Sequence, residues 1–375
     1  MSAVAHIPLA VPDLRGNEAA YLARCVADNW VSSAGPFVSD MERRVAEITG
    51  TAHAVATVNG TAGLHLALLA AGVGPGDRVL LPDWTFAASA NAVFHAGAEP
   101  YFADITDDSW TLDTAAVRQI LQQPKHRIRA VIAVHALGHP AEMTPLAAIC
   151  RDAGVALIED AAGALGACYQ GRPVGGFGDF AVFSFNGNKT VTAGGGGMIV
   201  TDDGAAAEHM RRLSAQARET SAYRHDEVAF NYRMTNLNAA VGLAQLERLD
   251  DMLAAKRSLA TAYDQALAGR SDLKPMPRRD WALSSNWLYA VLCPSADAAD
   301  SLVADLAAQA IDSSIFWLSL SAQTPYADCP RQLTGVSRAI SGRVVVLPSS
   351  SSLSSEDQAR VIAALGEWRG SAAEK

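Results

Sequence analysis

The apolar positions of this chain fall into short runs that stop at charge or glycine. Three lie between Ala156 and Asp203. Ala156 to Ile158 leads into Glu159-Asp160, and Phe180 to Phe185 into Asn186-Gly187-Asn188-Lys189. Four glycines, Gly194 to Gly197, open the third run, Met198 to Val200. Runs of this length between glycine and polar residues are the pattern of buried strands. Further runs occur at Ala54 to Val58, Arg78 to Pro82, Tyr101 to Ala103 and Ala130 to Val134. Helical patterns separate them, at 63–71, 114–122 and 144–153. The alternation predicts βαβα from about Ala54 to Thr201, hence a mostly parallel sheet with helices on both faces.

The flanks read differently. Asn17 to Asn29 and Phe37 to Thr49 are helical, joined by a Ser/Gly/Pro loop from Trp30 to Pro36. Residues 236–270 form a long amphipathic stretch, broken once, with Leu237, Ala240, Leu243, Ala244, Leu246 and Leu249 at helical spacing. Beyond it, short strands (287–292, 344–347) alternate with helices (298–310, 355–365). The fold class is therefore α/β. A large domain over 1–245 carries a mixed, mostly parallel central sheet flanked by helices, and a smaller α+β domain covers 246–375.

At 375 residues there is room for two domains and an ample core. A formal net charge of −9 disfavours nonspecific binding to nucleic acid or anionic membranes. The five cysteines are scattered and form no C-x-x-C, which points to reduced thiols in the cytoplasm. No signal peptide is evident, and no apolar run approaches the roughly 20 residues of a membrane span.

In open α/β sheets chemistry sits beyond the carboxyl ends of strands. That places Asp160 and Lys189 in one crevice. An anion and an amine there suit a cofactor with a basic ring nitrogen at one end and an aldehyde at the other, as in pyridoxal phosphate (PLP). The strand at Ala54, the turn Asn59-Gly60-Thr61-Ala62 and the following helix make a phosphate-binding arrangement. Trp84, just past the next strand, offers a ring face. Other motifs fail. Gly72-x-Gly74-x-Gly76 follows a helix, Gly187-Asn188-Lys189-Thr190 lacks P-loop spacing, and His135-x-x-x-His139 sits in a loop, so no metal site is expected.

Five segments carry a resemblance: Asn59 to Ala62, PDWTFAASAN from Pro82, Ile158 to Ala162, Gly178 to Asp203, and NYRMTNLNAAVGLAQLERL from Asn231. They resemble the DegT/DnrJ family of PLP-dependent sugar aminotransferases, with the aspartate aminotransferase (type I) fold, over about Ile7 to Val361. The resemblance implies that Lys189 is the Schiff-base lysine and proton carrier and that Asp160 keeps the pyridine nitrogen protonated. It implies that Trp84 stacks on the ring and that Gly60, Thr61, Ala62 and Ser184 bind the phosphate. Asn231 would reach the phosphate from the other subunit of a homodimer. Trp30, Ser32, Ser33 and Asn188 would lie near the sugar nucleotide. The implied substrates are a 4-keto-6-deoxy nucleotide sugar, in some relatives N-acetylated, and glutamate, on routes to bacterial glycans. Other keto sugars or cyclitols fit the family too. Lys189 argues against a sugar dehydratase, whose relatives carry histidine there, and against a noncatalytic homologue. Two positions depart from the pattern: Gly163, where relatives carry Gln or His, and Leu347-Pro348-Ser349-Ser350, where many have Leu-Pro-Leu-His.

Overall fold

The computed structural model describes residues 5–218 and 223–370. Two helices, α1 (Glu18–Ala27) and α2 (Pro36–Thr49), precede β1 (His53–Thr57). Strict alternation follows: α3 (Gly60–Ala70), β2 (Arg78–Pro82), α4 (Ala87–His95), β3 (Glu99–Ala103), α5 (Thr114–Leu121), β4 (Ile128–Val134), α6 (Met143–Ala153) and β5 (Ala156–Asp160). A small pin, β6 (Cys168–Tyr169) and β7 (Arg172–Pro173), leads to β8 (Phe180–Ser184), β9 (Gly197–Thr201) and α7 (Gly204–Ser214). The long amphipathic stretch is two helices, α8 (Asn236–Leu246) and α9 (Leu249–Leu267), broken at Glu247-Arg248. The remainder comprises β10 (Lys274–Pro275), β11 (Ala282–Leu283), β12 (Tyr289–Leu292), α10 (Ala296–Ala308), β13 (Ser314–Ile315), β14 (Arg331–Gln332), α11 (Val336–Ile340), β15 (Val344–Leu347) and α12 (Ser355–Glu367).

The large sheet has the order β1-β9-β8-β5-β4-β2-β3-β14. Strand β9 runs against both its neighbours, and every other pair is parallel. Period-two alternation sends successive side chains to opposite faces. Ala56, Leu80, Val131, Leu157, Phe183 and Met198 pack toward Met41, Leu146 and Ala240 of α2, α6 and α8. Val55, Leu81, Ile132, Ile158, Val182 and Ile199 pack toward Leu66, Val93 and Met210 of α3, α4 and α7. Two apolar faces explain why these strands read as continuous runs rather than alternating ones.

A second sheet, β10-β12-β15-β13, is antiparallel. One face, with Tyr289, Val291, Val345 and Leu347, meets Tyr263, Leu302 and Leu365 of α9, α10 and α12. Its other face, with Ala290, Val344 and Val346, shares a cluster with Trp84, Trp110 and Trp287. We propose the passage from the large to the small unit near Gln245, at the end of α8. The later strand β14 crosses back to extend the large sheet beside β3. Asp104, just after β3, fixes this crossing. Its buried carboxylate accepts hydrogen bonds from the backbone N–H of Ile105, Thr334, Gly335, Val336 and Ser337 and from the Thr334 and Ser337 hydroxyls.

Candidate active site

Alternation along β5 sorts its two terminal carboxylates. Ile158 faces α3 and α4, so Asp160 does too, and Glu159 faces the other way. Ser89 of α4 donates to Asp160 Oδ2 at 2.6 Å, and the Ala162 N–H donates to Oδ1 at 3.2 Å. Glu159 is buried behind the sheet and accepts from His135 Nε2 at 3.0 Å and from the amides of Gly175, Phe177 and Gly178. Burial alone would raise its pKa, but His135 and those amides hold it below the ordinary value. The Ala141 N–H donates to His135 Nδ1, which leaves Nε2 to face Glu159. His139 is similarly tied, to Pro140 and to the Arg279 amide.

Strand β8 applies the same rule. Val182 faces α3, and so does Ser184, close enough that a Cβ on Gly60 would lie 3.2 Å from the Ser184 Cβ. Asn59 caps α3 by accepting the Ala62 N–H at 2.8 Å. The amides of Gly60 and Thr61 precede any carbonyl the helix could offer them, and both residues line a cavity. That cavity, about 240 Å³, is also lined by Asp160, Gly163, Ser184, Asn188, Lys189, Gly195, Gly196 and Trp287. The Lys189 amine sits 3.3 Å from the centre of the Trp287 ring. Burial lowers its pKa to about 7, against the opposing charge of Asp160.

The expected residues are not all gathered here. Gly60, Thr61, Asp160, Ser184, Asn188 and Lys189 share the cavity. Ala62 is buried, with its amide already given to Asn59, so it does not join them. Trp84 is corrected: it is fully buried, donates its ring N–H to the Trp317 carbonyl at 2.9 Å, and packs against Trp110 and Trp317. Phe86, two residues on and 61% exposed, lines the cavity instead. Asn231 and Ser33 lie in a separate groove with Arg218, His225 and Arg233. Trp30 and Ser32 flank that loop, pinned through their carbonyls by the Asn236 side chain and backbone. The sequence reading missed Phe86, Ser89, Trp287, Phe316 and Trp317. Only Phe86 left a signal, as the second aromatic of Trp84-Thr85-Phe86.

These residues fit PLP. Two open helix amides and the Ser184 hydroxyl make an anion cradle at one end. Asp160 keeps acceptor capacity beyond its two donors, enough for a ring N–H. Gly195 and Gly196 put no side chain into the cavity, and the buried Trp317 Nε1 has no hydrogen-bond partner among the described residues.

Known proteins resemble this chain over nearly its whole length. The model of the DegT/DnrJ/EryC1/StrS aminotransferase family matches residues 12–366. GDP-perosamine synthase of Caulobacter vibrioides is 39% identical over 98% of this chain and 99% of its own length. The crystal structure of S. venezuelae DesV superposes with a TM-score of 0.88 at 32% identity, covering 96% of this chain and 99% of that one. The PLP form of Spr1654 from Streptococcus pneumoniae has the same TM-score at 25% identity, over 96% and 97%. The chain belongs to the DegT/DnrJ/EryC1/StrS family of PLP-dependent aminotransferases.

Proposed function

We propose that this enzyme transfers an amino group from glutamate to a nucleotide-linked 4-keto-6-deoxy hexose in the bacterial cytoplasm, that the nucleotide is GDP, and that the product serves glycan synthesis. The observation that carries the reading is the meeting of Asp160, Lys189 and the open start of α3 in one cavity. The similarity to a GDP-perosamine synthase supports the nucleotide.

When bound, PLP supplies an electron sink for the bond broken at the amino donor's α-carbon. The protein's residues do the positioning and the proton transfer. Gly60, Thr61 and Ser184 hold the phosphate. Asp160, oriented by Ser89 and the Ala162 amide, keeps the ring nitrogen protonated. Phe86 covers the ring. Lys189 takes the α-proton and returns it at the cofactor's C4′, and its lowered pKa leaves much of it neutral near pH 7. Asn231 faces a groove of its own, which supports a homodimer whose partner supplies that residue to the site.

The test is a panel of GDP-, UDP- and dTDP-linked keto sugars offered with glutamate and read by mass. An amino sugar appearing with the GDP substrate in preference to the others is the expected result. Amination confined to a different nucleotide, or to no nucleotide sugar, would overturn the assignment.

A further inference from the structure

We infer that Trp287 is a positioning residue for Lys189: the indole face holds the protonated form of the lysine, and position 163 is glycine because the indole occupies its side-chain space.

The contacts are specific. The Lys189 amine lies 3.3 Å from the ring centre, on the face. A Cβ at Gly163 would fall 2.5 Å from Cε3 and 2.9 Å from Cδ2 of the same ring. The ring is fastened at several points. Its Nε1 donates to the Asn188 carbonyl at 2.8 Å, one residue from the lysine. Its backbone carbonyl accepts from Lys256 Nζ at 3.1 Å, a buried amine of α9 that also donates to the Ser349 carbonyl. Ser285, two residues earlier, donates through its hydroxyl to the Gly163 carbonyl at 2.8 Å and through its amide to the Gly138 carbonyl at 3.1 Å. Ring, lysine and glycine are therefore one unit.

An aromatic face attracts an ammonium and not a neutral amine. The contact thus acts on one protonation state of a residue that must gain and give up a proton in each half-reaction. Asp160 on β5 favours the ammonium. His135, beyond β4, keeps its Nε2 on Glu159. Lys256 sits behind the Trp287 backbone. Burial depresses Lys189, and the ring opposes part of that depression.

The inference rests on the aminotransferase reading of the site and not on the identity of the sugar. Its test uses the protein without cofactor. Trace acetylation with acetic anhydride across pH, read on the Lys189 peptide by mass spectrometry, reports the proton affinity of the amine. We expect Trp287→Leu to lower it about tenfold and Trp287→Phe to restore most of it. Gly163→Ala, which keeps the indole but displaces it, should shift it in the same direction. In the holoenzyme, the acid limb of the glutamate half-reaction should move to lower pH in Trp287→Leu. A Lys189 proton affinity unchanged in both Trp287→Leu and Gly163→Ala overturns the inference. Should the leucine variant fail to fold, Gly163→Ala decides: a fall supports the unit, and no change refutes it. A wrong sugar assignment leaves all these readings untouched.

Discussion

An amine removed from water gives up its proton more readily. Lys189 is held down near 7 for this reason. Replacing it with alanine should cut amino exchange with glutamate by about 10³-fold or more and abolish the visible absorption of the cofactor–lysine bond. Exchange at the wild-type rate would remove Lys189 from the reaction. Asp160→Asn should keep that absorption yet lose about 10²-fold or more in rate, since the ring nitrogen would lack its anion. Unchanged kinetics would refute the pairing. The two aromatics of Trp84-Thr85-Phe86 should separate cleanly. Trp84→Ala removes a fully buried ring and should cost about 3–5 kcal/mol of stability in denaturant unfolding. Phe86→Ala should instead weaken PLP binding, read by equilibrium titration, with little change in stability. The reverse outcome would return the ring contact to Trp84. That Lys189 and Asp160 share one cavity was legible in the sequence because an apolar run leads into each, and the ends of such runs are where this kind of sheet places its clefts. The choice between Trp84 and Phe86 was not. It depends on the Trp317 carbonyl, 233 residues away along the chain, which draws the Trp84 indole into the core.

Among elements, alternation carried the reading furthest. The βαβα order, the sheet and the break between α8 and α9 follow from spacing. What spacing could not supply was β14, a two-residue strand with no pattern of its own. It exists because Asp104 collects the amides at the start of α11. Burial alone would raise the Asp104 pKa, but hydrogen bonds from Ser337 and the neighbouring amides outweigh that and set it at about 2, from an ordinary 3.8. The unfolded chain thus binds this proton more readily than the folded one. The resulting stability is fully present above pH 3.8 and is lost as pH falls toward about 2. Asp104→Asn should flatten that part of the stability–pH curve, and Asp104→Ala should cost about 3 kcal/mol at neutral pH. A variant with an unaltered acid unfolding midpoint would show that the clamp contributes nothing. Trp287 was equally invisible in the sequence, since only tertiary packing brings this residue, two positions before β12, against Gly163.

For the whole molecule, the separation of Asn231 from the cavity is the informative fact. If the partner supplies it, Lys189→Ala and Asn231→Ala chains co-expressed should recover activity that neither has alone. Each mixed dimer would carry one site with both changes and one with neither. Failure of mixed dimers to recover, with both parents dimeric, would place Asn231 outside the shared site.

The return of β14 to β3 also sets a schedule for synthesis. Phe102 waits for its partner Arg331 through 229 residues of further chain. At ~5–20 residues per second that is roughly ten to fifty seconds on the ribosome. Throughout that interval the nascent sheet ends in a bare row of amides and carbonyls beside β3, open to pairing with any neighbouring strand. Translation pauses before Arg331 should therefore raise the aggregated fraction, and pauses after Ser337 should not.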